Sequence, residues 1–408
     1  MSRAEILRHR PLRALLGAEV ISMTGTQMTW LALPWFVLTT TGSPARMTVV
    51  MAAELIGFAA AGLPSGAVLQ RLGARRTMLL ADAVRAPLML LVPILHWSGH
   101  LSFPPLVALS LLLGVFGAPY FTAQKVIVPE LLGEDEATVS KANALFQGAM
   151  RTTLFLGPPI GGVLIGLFGA ANVLVVDGAT YVVSFLLVVL FVPARAATPE
   201  VEASRGILAG FRFLTREPLL RVWIPLFLVG DAGWQAFFAA VPVLTVERFG
   251  ADAKVAGALF AAFGLGAVCG NILSFRFLAD RIPGLRLIAL SVPFQALPLW
   301  VLPLDVGVSA LFVAILVSGI ANGICNPSIH TISALRIPRA MRPKAMAASS
   351  TMAGLGLPLG LLVAGPVLSV FGARPVLVGF AAVQTVCMLG VAAASLNARE
   401  PEPAFVAS

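Results

Sequence analysis

The chain has 408 residues, of which 58% are apolar and 12% are charged, whereas charged residues make up about 25% of an ordinary soluble domain. The apolar residues form runs of about 20 residues, each long enough to cross a bilayer as a helix. This composition excludes a soluble globular protein and predicts a polytopic membrane protein. The net charge of +9 could suggest nucleic acid, but the basic residues lie in short loops without interleaved aromatics. We therefore expect no nucleic-acid partner.

Twelve apolar segments predict an all-α fold with twelve transmembrane helices. They lie at about 12–37, 47–69, 77–97, 104–128, 142–168, 171–192, 222–246, 254–275, 287–304, 308–335, 345–370 and 374–396. Almost every connection is a few residues long and carries a turn signal. We expect the first segment to be a retained span rather than a signal peptide.

One longer connection, at 193–221, divides the predicted spans into two groups of six. The prediction is an N-terminal six-helix bundle at 1–192, a linker at 193–221 and a C-terminal six-helix bundle at 222–408. Within the linker, the segment from Gly206 to Pro218 has apolar residues at helical spacing, with arginines on the other side. It predicts a short amphipathic helix on the inner leaflet that tethers the two halves, and a merely basic linker is the alternative.

The basic residues predict the orientation of the chain. Of the 28 Lys and Arg residues, 21 fall in the termini and loops on one side of the predicted membrane, and four fall in the opposite loops. Basic loops stay on the cytoplasmic side. Both termini and the central linker are therefore expected in the cytoplasm, in a multi-pass protein of the inner membrane of a prokaryote.

The two halves repeat the same turn chemistry at a spacing of about 203–210 residues. Phe168-Gly169-Ala170 ends the fifth span as Phe371-Gly372-Ala373 ends the eleventh. Two parallel repeats about an axis along the membrane normal leave such a pattern. That geometry places a cavity between two bundles and suits transport by alternating access.

A motif of small, polar and basic residues follows the second span: Gly66, Gln70, Arg71, Gly73, Arg75 and Arg76. It resembles the cytoplasmic signature of the major facilitator superfamily, although Gln70 stands where that family usually has Asp. Asp280 and Arg281 occupy the corresponding turn of the second half. The resemblance implies an inner gate, with Gly66 allowing close approach of another helix. Without a charged acid at a helix N-terminus, the gate is expected to be weaker by about 1 kcal/mol.

The fifth span contains Gly157, Pro158, Gly161 and Gly162. This pattern resembles a motif of exporters in the same superfamily, and its physical effect is a kinked helix with small faces. A kink with generic small-residue packing is the alternative.

Further segments resemble the branch that contains macrolide-efflux and enterobactin-exporter proteins: Leu33-Pro34-Trp35, Thr41-Gly42-Ser43-Pro44, Pro129-Glu130-Leu131, Lys141-Ala142-Asn143-Ala144-Leu145 and Val176-Asp177-Gly178-Ala179-Thr180-Tyr181. The resemblance implies export from the cytoplasm, commonly by proton antiport. In one departure, Ser110 stands where many proton-coupled exporters have Arg.

Ionisable residues inside spans are costly unless they face a cavity or a partner, so each is a functional candidate. A proton site needs a buried carboxylate that ionises when a base or water approaches. We predict Glu19 and Asp231 as proton or cation sites, with a salt bridge or a solvated position as the alternative. Arg151 is the predicted counter-charge, and Glu54 is a weaker proton candidate.

Three further charged residues are predicted to have structural roles. Asp82 and Arg85, one turn apart near the basic loop, are expected to form a gate pair. Asp177, near the outer end of the sixth span, is expected to be structural.

Polar and aromatic stripes at helical spacing predict the lining of a substrate cavity. They are Met23, Gln27 and Trp30 on the first span, Asn143 and Gln147 on the fifth, Trp234, Gln235 and Phe238 on the seventh, and Asn322, Asn326 and His330 on the tenth. His330 could instead be a hydrogen-bonded residue between helices.

Together these features predict an exporter of lipophilic or amphipathic small molecules, of drug-like or siderophore-like character, driven by proton antiport. It would act as a monomer in the bilayer, with no cofactor beyond the proton gradient and no metal. A facilitator or importer of a polar solute is the alternative on the same fold. A membrane enzyme is disfavoured, because the four histidines are scattered without a catalytic or metal-binding grouping.

Overall fold

The computed structural model describes residues 9–132, 136–193, 207–278, 280–338 and 341–398. Thirteen α-helices cover most of these residues: α1 Arg10–Thr41, α2 Pro44–Leu72, α3 Ala74–Trp97, α4 Phe103–Leu132, α5 Glu136–Phe168, α6 Ala170–Phe191, α7 Ile207–Leu214, α8 Leu220–Arg248, α9 Ala253–Leu273, α10 Gly284–Ala296, α11 Val308–Arg336, α12 Arg342–Phe371 and α13 Ala373–Asn397. Each predicted apolar segment lies on one of the long helices except 287–304, which begins in the shorter α10 and extends past it.

Two helices continue in other helical forms. A π-helix, Ser274–Leu278, follows α9, and a 3-10 turn, Leu297–Val301, follows α10. Within the described residues, nine helical stretches are long and apolar enough to cross a membrane. Shorter apolar stretches end α5, at Leu156–Phe168, and α12, at Gly356–Phe371.

Glycines with positive φ end several helices. Gly169, between α5 and α6, has φ of 82°, and Gly372, between α12 and α13, has φ of 75°. An L side chain rarely adopts this conformation, whereas glycine adopts it without steric cost. The repeated Phe-Gly-Ala sequence therefore makes the same tight helix-to-helix turn in both halves.

The chain forms two units. The first contains α1–α6 together with Thr245–Ala258, which is the turn between α8 and α9 and its flanks. The second contains α7, the rest of α8 and the chain from Leu259 onward. In the first unit, α1 packs on α5 and α6, and α4 packs on α2 and α3; in the second, α10 packs on α11 and α13.

Glycines bring matching helix pairs into close contact in each unit. A Cβ on Gly114 of α4 would overlap the backbone carbonyl oxygen of Glu54 on α2. Likewise, a Cβ on Gly323 of α11 would overlap the carbonyl oxygen of Ala267 on α9. Small residues allow the backbones of membrane helices to approach closely. The two contacts lie at equivalent places in the predicted repeat.

The short helix α7 packs against α12 inside the second unit. A Cβ on Gly210 would overlap the backbone carbonyl oxygen of Lys344 in the first turn of α12. At the start of α8, the Glu217 carboxylate accepts hydrogen bonds from the backbone N–H groups of Leu219 and Leu220. Glu217 also accepts a 2.8 Å hydrogen bond from Arg336 at the end of α11, so this junction is fixed by both packing and charge.

The contact between α2 and α4 leads to a stability prediction. Replacing Gly114 with Ala should lower the stability of the protein by about 1–3 kcal/mol, because backbone atoms would have to move apart. The measurement is thermal unfolding of detergent-solubilised protein, followed by circular dichroism. Gly62→Ala on α2 is the matched control, because a Cβ there would meet nothing within 4 Å. Equal melting temperatures for the two variants would contradict the close contact.

Candidate functional site

The second unit contains a cavity of about 470 Å³. Its wall comes mainly from the first half of α8, the second half of α11 and the beginning of α12. Five residues predicted from the sequence line it: Asp231, Trp234, Asn322, Asn326 and His330. Four other polar residues that line it were not predicted: Gln295, Ser333, Ser349 and Gln384. The volume is that of a pocket for a small molecule.

The polar stripe of α11 is continuous along the cavity. Asn322, Asn326 and His330 follow one another at steps of four residues, which places them on one helix face. The Asn326 side-chain amide nitrogen donates a 3.4 Å hydrogen bond to the side-chain oxygen Oδ1 of Asn322. The stripe therefore offers further hydrogen-bonding groups to a ligand in the cavity.

Gln384 on α13 lines the cavity and lies beside two glycines of α8. Its amide nitrogen donates a 2.7 Å hydrogen bond to the carbonyl oxygen of Gly230, and Gly233 also lies beside it. Its carbonyl oxygen is buried and has no hydrogen-bond partner among the described residues. Because an unsatisfied buried oxygen is costly, this atom is suited to accept a hydrogen bond from a ligand. Asp231 lies next to Gly230 and is exposed to the cavity.

An aromatic cluster adjoins the cavity at Trp234. It consists of Trp234, Phe237, Phe238, Phe260, Phe263 and Phe380. The ring centroids of Trp234 and Phe263 are 4.4 Å apart, and those of Phe237 and Phe380 are 5.1 Å apart. Phe238 was predicted to line the cavity but belongs to this cluster, and the neighbouring Gln235 is buried. Neither residue lines the cavity, because both lie on faces of α8 that pack on other helices.

The residues predicted to line a cavity from the first half do not take part in this one. Gln27 lies against Gly157 of α5: a Cβ added to Gly157 would overlap the Cβ of Gln27. Met23 is partly buried on the same helix, and Trp30 is 42% exposed. Asn143 and Gln147 are exposed on α5. These stripes are present, but helical spacing alone could not show which neighbours the faces meet.

Glu19 is buried inside the first unit, with 1% of its surface exposed. Gln124 on α4 donates a 2.8 Å hydrogen bond to one carboxylate oxygen, and the other has no partner among the described residues. Gln124 was not predicted, because nothing in a single polar residue of an apolar span identifies its contact. The side chain of Arg151, the predicted counter-charge, lies outside the described residues.

A buried charge cluster lies among α1, α2, α3, α4 and α6 of the first unit. Asp82 and Arg85 are 1% and 4% exposed, and Arg85 Nη1 is 3.6 Å from Asp82 Oδ1. They were predicted beside the basic loop, but they lie in the interior, about 12 Å (Asp82) and about 16 Å (Arg85) along α3 from its first residue. Glu54 on α2 is partly buried and interacts electrostatically with both Arg85 and Asp177.

Both tyrosines of the chain contact Arg85. The guanidinium carbon is 4.0 Å from the ring centroid of Tyr181 and 5.1 Å from that of Tyr120. Aromatic faces attract a desolvated cation. Neither tyrosine was predicted as part of a site, although the scarcity of this residue in the chain was a usable signal.

Asp177 on α6 accepts hydrogen bonds from α1 and from its own helix. Thr29 of α1 donates one at 2.7 Å, and the Tyr181 hydroxyl donates one at 3.2 Å. The Thr26 hydroxyl lies 3.2 Å from that of Tyr181 and accepts a 3.4 Å hydrogen bond from Arg85. The hydroxyl groups therefore connect Arg85 to Asp177.

The residues of the signature motif occupy the turn between α2 and α3. Gly73 makes this turn with φ of 76°, and Arg75 donates a 2.9 Å hydrogen bond to the carbonyl oxygen of Val189 at the end of α6. A Cβ on Gly66 would meet no described atom within 4 Å, and the close approach of another helix at this glycine stays a prediction. The remaining motif residues are exposed: Gln70, Arg71 and Arg76, together with Asp280 and Arg281 in the turn before α10.

The glycine-proline motif of α5 packs on two elements of the first unit. Gly157 and Gly161 face Gln27 and Met28 of α1, and Gly162 faces the backbone of Ala253. Pro158 lies inside α5 between the first two glycines. The motif therefore provides the small faces that its sequence predicts.

Comparison with known proteins identifies the family. The family model of the Major Facilitator Superfamily matches residues 15–304 and 228–408. The chain belongs to this superfamily. It is therefore a multi-pass membrane transporter with an all-α fold, and the resemblance drawn from the sequence motifs is confirmed.

Similar proteins include efflux systems. The multidrug efflux pump Tap of Mycolicibacterium fortuitum is 25% identical over 376 residues, covering 89% of this chain and 90% of the relative. The enterobactin exporter EntS of Shigella boydii is 30% identical over 215 residues, covering 49% of this chain and 50% of the relative. In the fold comparison, the nucleoside transporter NupG has a TM-score of 0.77 at 14% identity, covering 95% of this chain and 99% of that one. This likeness shows the shared fold alone.

The position of Trp234 allows ligand binding in the cavity to be observed directly. Adding tetraphenylphosphonium, an apolar cation, should quench the tryptophan fluorescence of the purified protein, because Trp234 and Trp223 line the cavity. Trp234→Phe should lose most of the quench while keeping an aromatic ring in the cluster. Trp97→Phe is the control, since Trp97 is exposed at the end of α3. Unchanged quenching in both Trp234→Phe and Trp223→Phe would exclude this cavity as the binding site.

Proposed function

We propose that this transporter exports lipophilic or amphipathic small molecules from the cytoplasm by alternating access, in exchange for protons. The observation that carries the proposal is the cavity of the second unit. It combines apolar and aromatic walls, including Trp223, Phe227 and Trp234, with one carboxylate, Asp231. Such a wall binds apolar compounds through contact area, and a few polar groups orient them.

The proposal places the protein in the cytoplasmic membrane of a prokaryote, as a monomer with both termini in the cytoplasm. It assigns 1–192 and 222–408 to two six-helix bundles joined by the linker at 193–221. The cavity residues lie near the start of α8 and the end of α11. Basic residues predict these helix ends to be cytoplasmic, which is the side from which an exporter collects its substrate.

The relatives support the direction of transport. One relative, which this chain matches over most of its length, is described as a multidrug efflux pump. Another, which this chain matches over half of its length, is described as an enterobactin exporter. The close packing of the glycine motif of α5 on α1 also agrees with the resemblance to exporters. Both point to export rather than uptake.

The amide groups of the cavity favour a second candidate function. Asn322, Asn326, Gln295 and Gln384 could hydrogen-bond a polar solute. An uncoupled facilitator or importer of such a solute would use these amides as its main contacts and would be insensitive to the proton gradient.

The proposal can be tested in proteoliposomes with an imposed pH gradient. Adding macrolide-like, siderophore-like or cationic lipophilic compounds should drive proton movement coupled to compound movement in the opposite direction. Asp231→Asn should reduce transport of cationic compounds by about tenfold or more, because it removes the carboxylate exposed to the cavity. Glu19→Gln tests Glu19, the other residue that the sequence predicts as a proton site. Proton flux through this variant should fall if Glu19 carries the coupling proton.

Matched variants separate the two functions. Asn326→Leu removes an amide from the cavity and should affect an apolar compound less than Asp231→Asn does. Antiport would be rejected if the compound moved without proton flux. The facilitator would be established if, in addition, compound movement were unchanged in Asp231→Asn and abolished in Asn326→Leu.

A further inference from the structure

The cluster around Arg85 has more acids than bases. Glu54, Asp82 and Asp177 lie within electrostatic reach of one guanidinium, and no second base contacts them among the described residues. With every group ionised the cluster would carry a net charge of −2. It is neutral only when two of the three carboxyl groups hold protons. Because isolated charge is costly in a protein interior, protonation of two carboxyl groups would stabilise the cluster.

Arg85 is poorly matched to its nearest acid. Arg85 Nη1 lies 3.6 Å from Asp82 Oδ1, and both atoms are buried without a hydrogen-bond partner in the described part of the chain. Asp82 is held instead by Ser184, which donates a 2.6 Å hydrogen bond to its other oxygen. The guanidinium is held by the faces of two tyrosine rings, which attract it but do not fix a single carboxylate as its partner.

A second carboxylate lies beyond Arg85. Ser184 contacts Asp82, and Asp177 is seven residues earlier on the same helix, which corresponds to about 10 Å along its axis. Arg85 contacts the ring of Tyr181, which lies between these two residues along α6. Arg85 also donates to Thr26, whose hydroxyl neighbours the Tyr181 hydroxyl that donates to Asp177. The guanidinium is therefore next to Asp82 and is connected to Asp177 through two hydroxyl groups.

We propose that Glu54, Asp82 and Asp177 are the proton-binding site of this transporter and share Arg85 as a counter-charge that changes partner. When a proton joins the Asp82 carboxylate, a neutral carboxylic acid forms and the guanidinium moves towards Asp177. When that proton leaves, the guanidinium returns. Arg85 keeps all its protons throughout, since a guanidinium group does not lose a proton in proteins. The inference rests on the proposed proton coupling.

The groups that face this cluster come from every helix packed around it. They are Glu54 on α2, Tyr120 on α4, Asp177 and Tyr181 on α6, and Glu19 on α1, which interacts electrostatically with Tyr120. All of them lie in the first unit, whereas the cavity residues lie in the second. Proton binding and substrate binding are thus assigned to different units.

The first experiment detects the protons without any substrate. Infrared spectroscopy of the purified protein should show the C=O stretching band of protonated carboxyl groups, and this band should lose intensity in Asp82→Asn and in Asp177→Asn. Asp305→Asn is the matched control, because this carboxylate is exposed between α10 and α11. An unchanged band in both cluster variants would overturn the inference whatever the transport function is.

The second experiment measures coupling in proteoliposomes. Tyr181→Phe removes the hydroxyl next to Thr26 and Asp177 but keeps the ring over Arg85, so the packing is preserved. This variant can therefore be measured even if the Asn variants fail to fold. It should slow compound-driven proton flux by about tenfold or more, while quenching by tetraphenylphosphonium stays as in the wild type. Wild-type flux in Tyr181→Phe and both Asn variants would overturn the inference. Absence of proton flux in the wild type would instead overturn the proposed antiport.

Discussion

A charge inside a membrane protein must be neutralised by the protein itself, because neither lipid nor bulk water is available to solvate it. Arg85 shows how much structure this constraint requires. Its guanidinium is held between two tyrosine rings from α4 and α6, near acids from α2, α3 and α6 and a hydroxyl from α1. Five helices of the first unit thus converge on a single side chain, and their packing has to keep that arrangement closed.

Glycines make this convergence possible. A Cβ on Gly25 would overlap Oδ1 of Asp177, so α1 can approach α6 closely only with glycine there. In the second unit, Gly230 and Gly233 of α8 similarly accommodate Gln384 of α13. In both halves, therefore, a polar residue on the last membrane helix, α6 or α13, packs against glycine on the first membrane helix, α1 or α8. One half has a carboxylate there, and the other has a neutral amide beside an open cavity.

This difference accounts for the proposed division of work between the units. The charge cluster of the first unit is closed and rich in acids, which suits reversible proton binding. The cavity of the second unit has a single carboxylate, Asp231, among amides and aromatic rings. A lipophilic compound gains contact area in such a cavity without having to displace a network of paired charges.

The sequence by itself determined the membrane fold, the positions of the long helices and the superfamily, because length, hydropathy and turn glycines are properties of contiguous residues. It also predicted the Asn322 to His330 face, since helical spacing places these residues together whatever surrounds them. Only the tertiary structure decided which faces meet. It buried Glu19 against Gln124 and brought Asp82, Arg85 and Asp177 into one cluster, because contacts between distant segments depend on how the helices pack, which local periodicity does not specify.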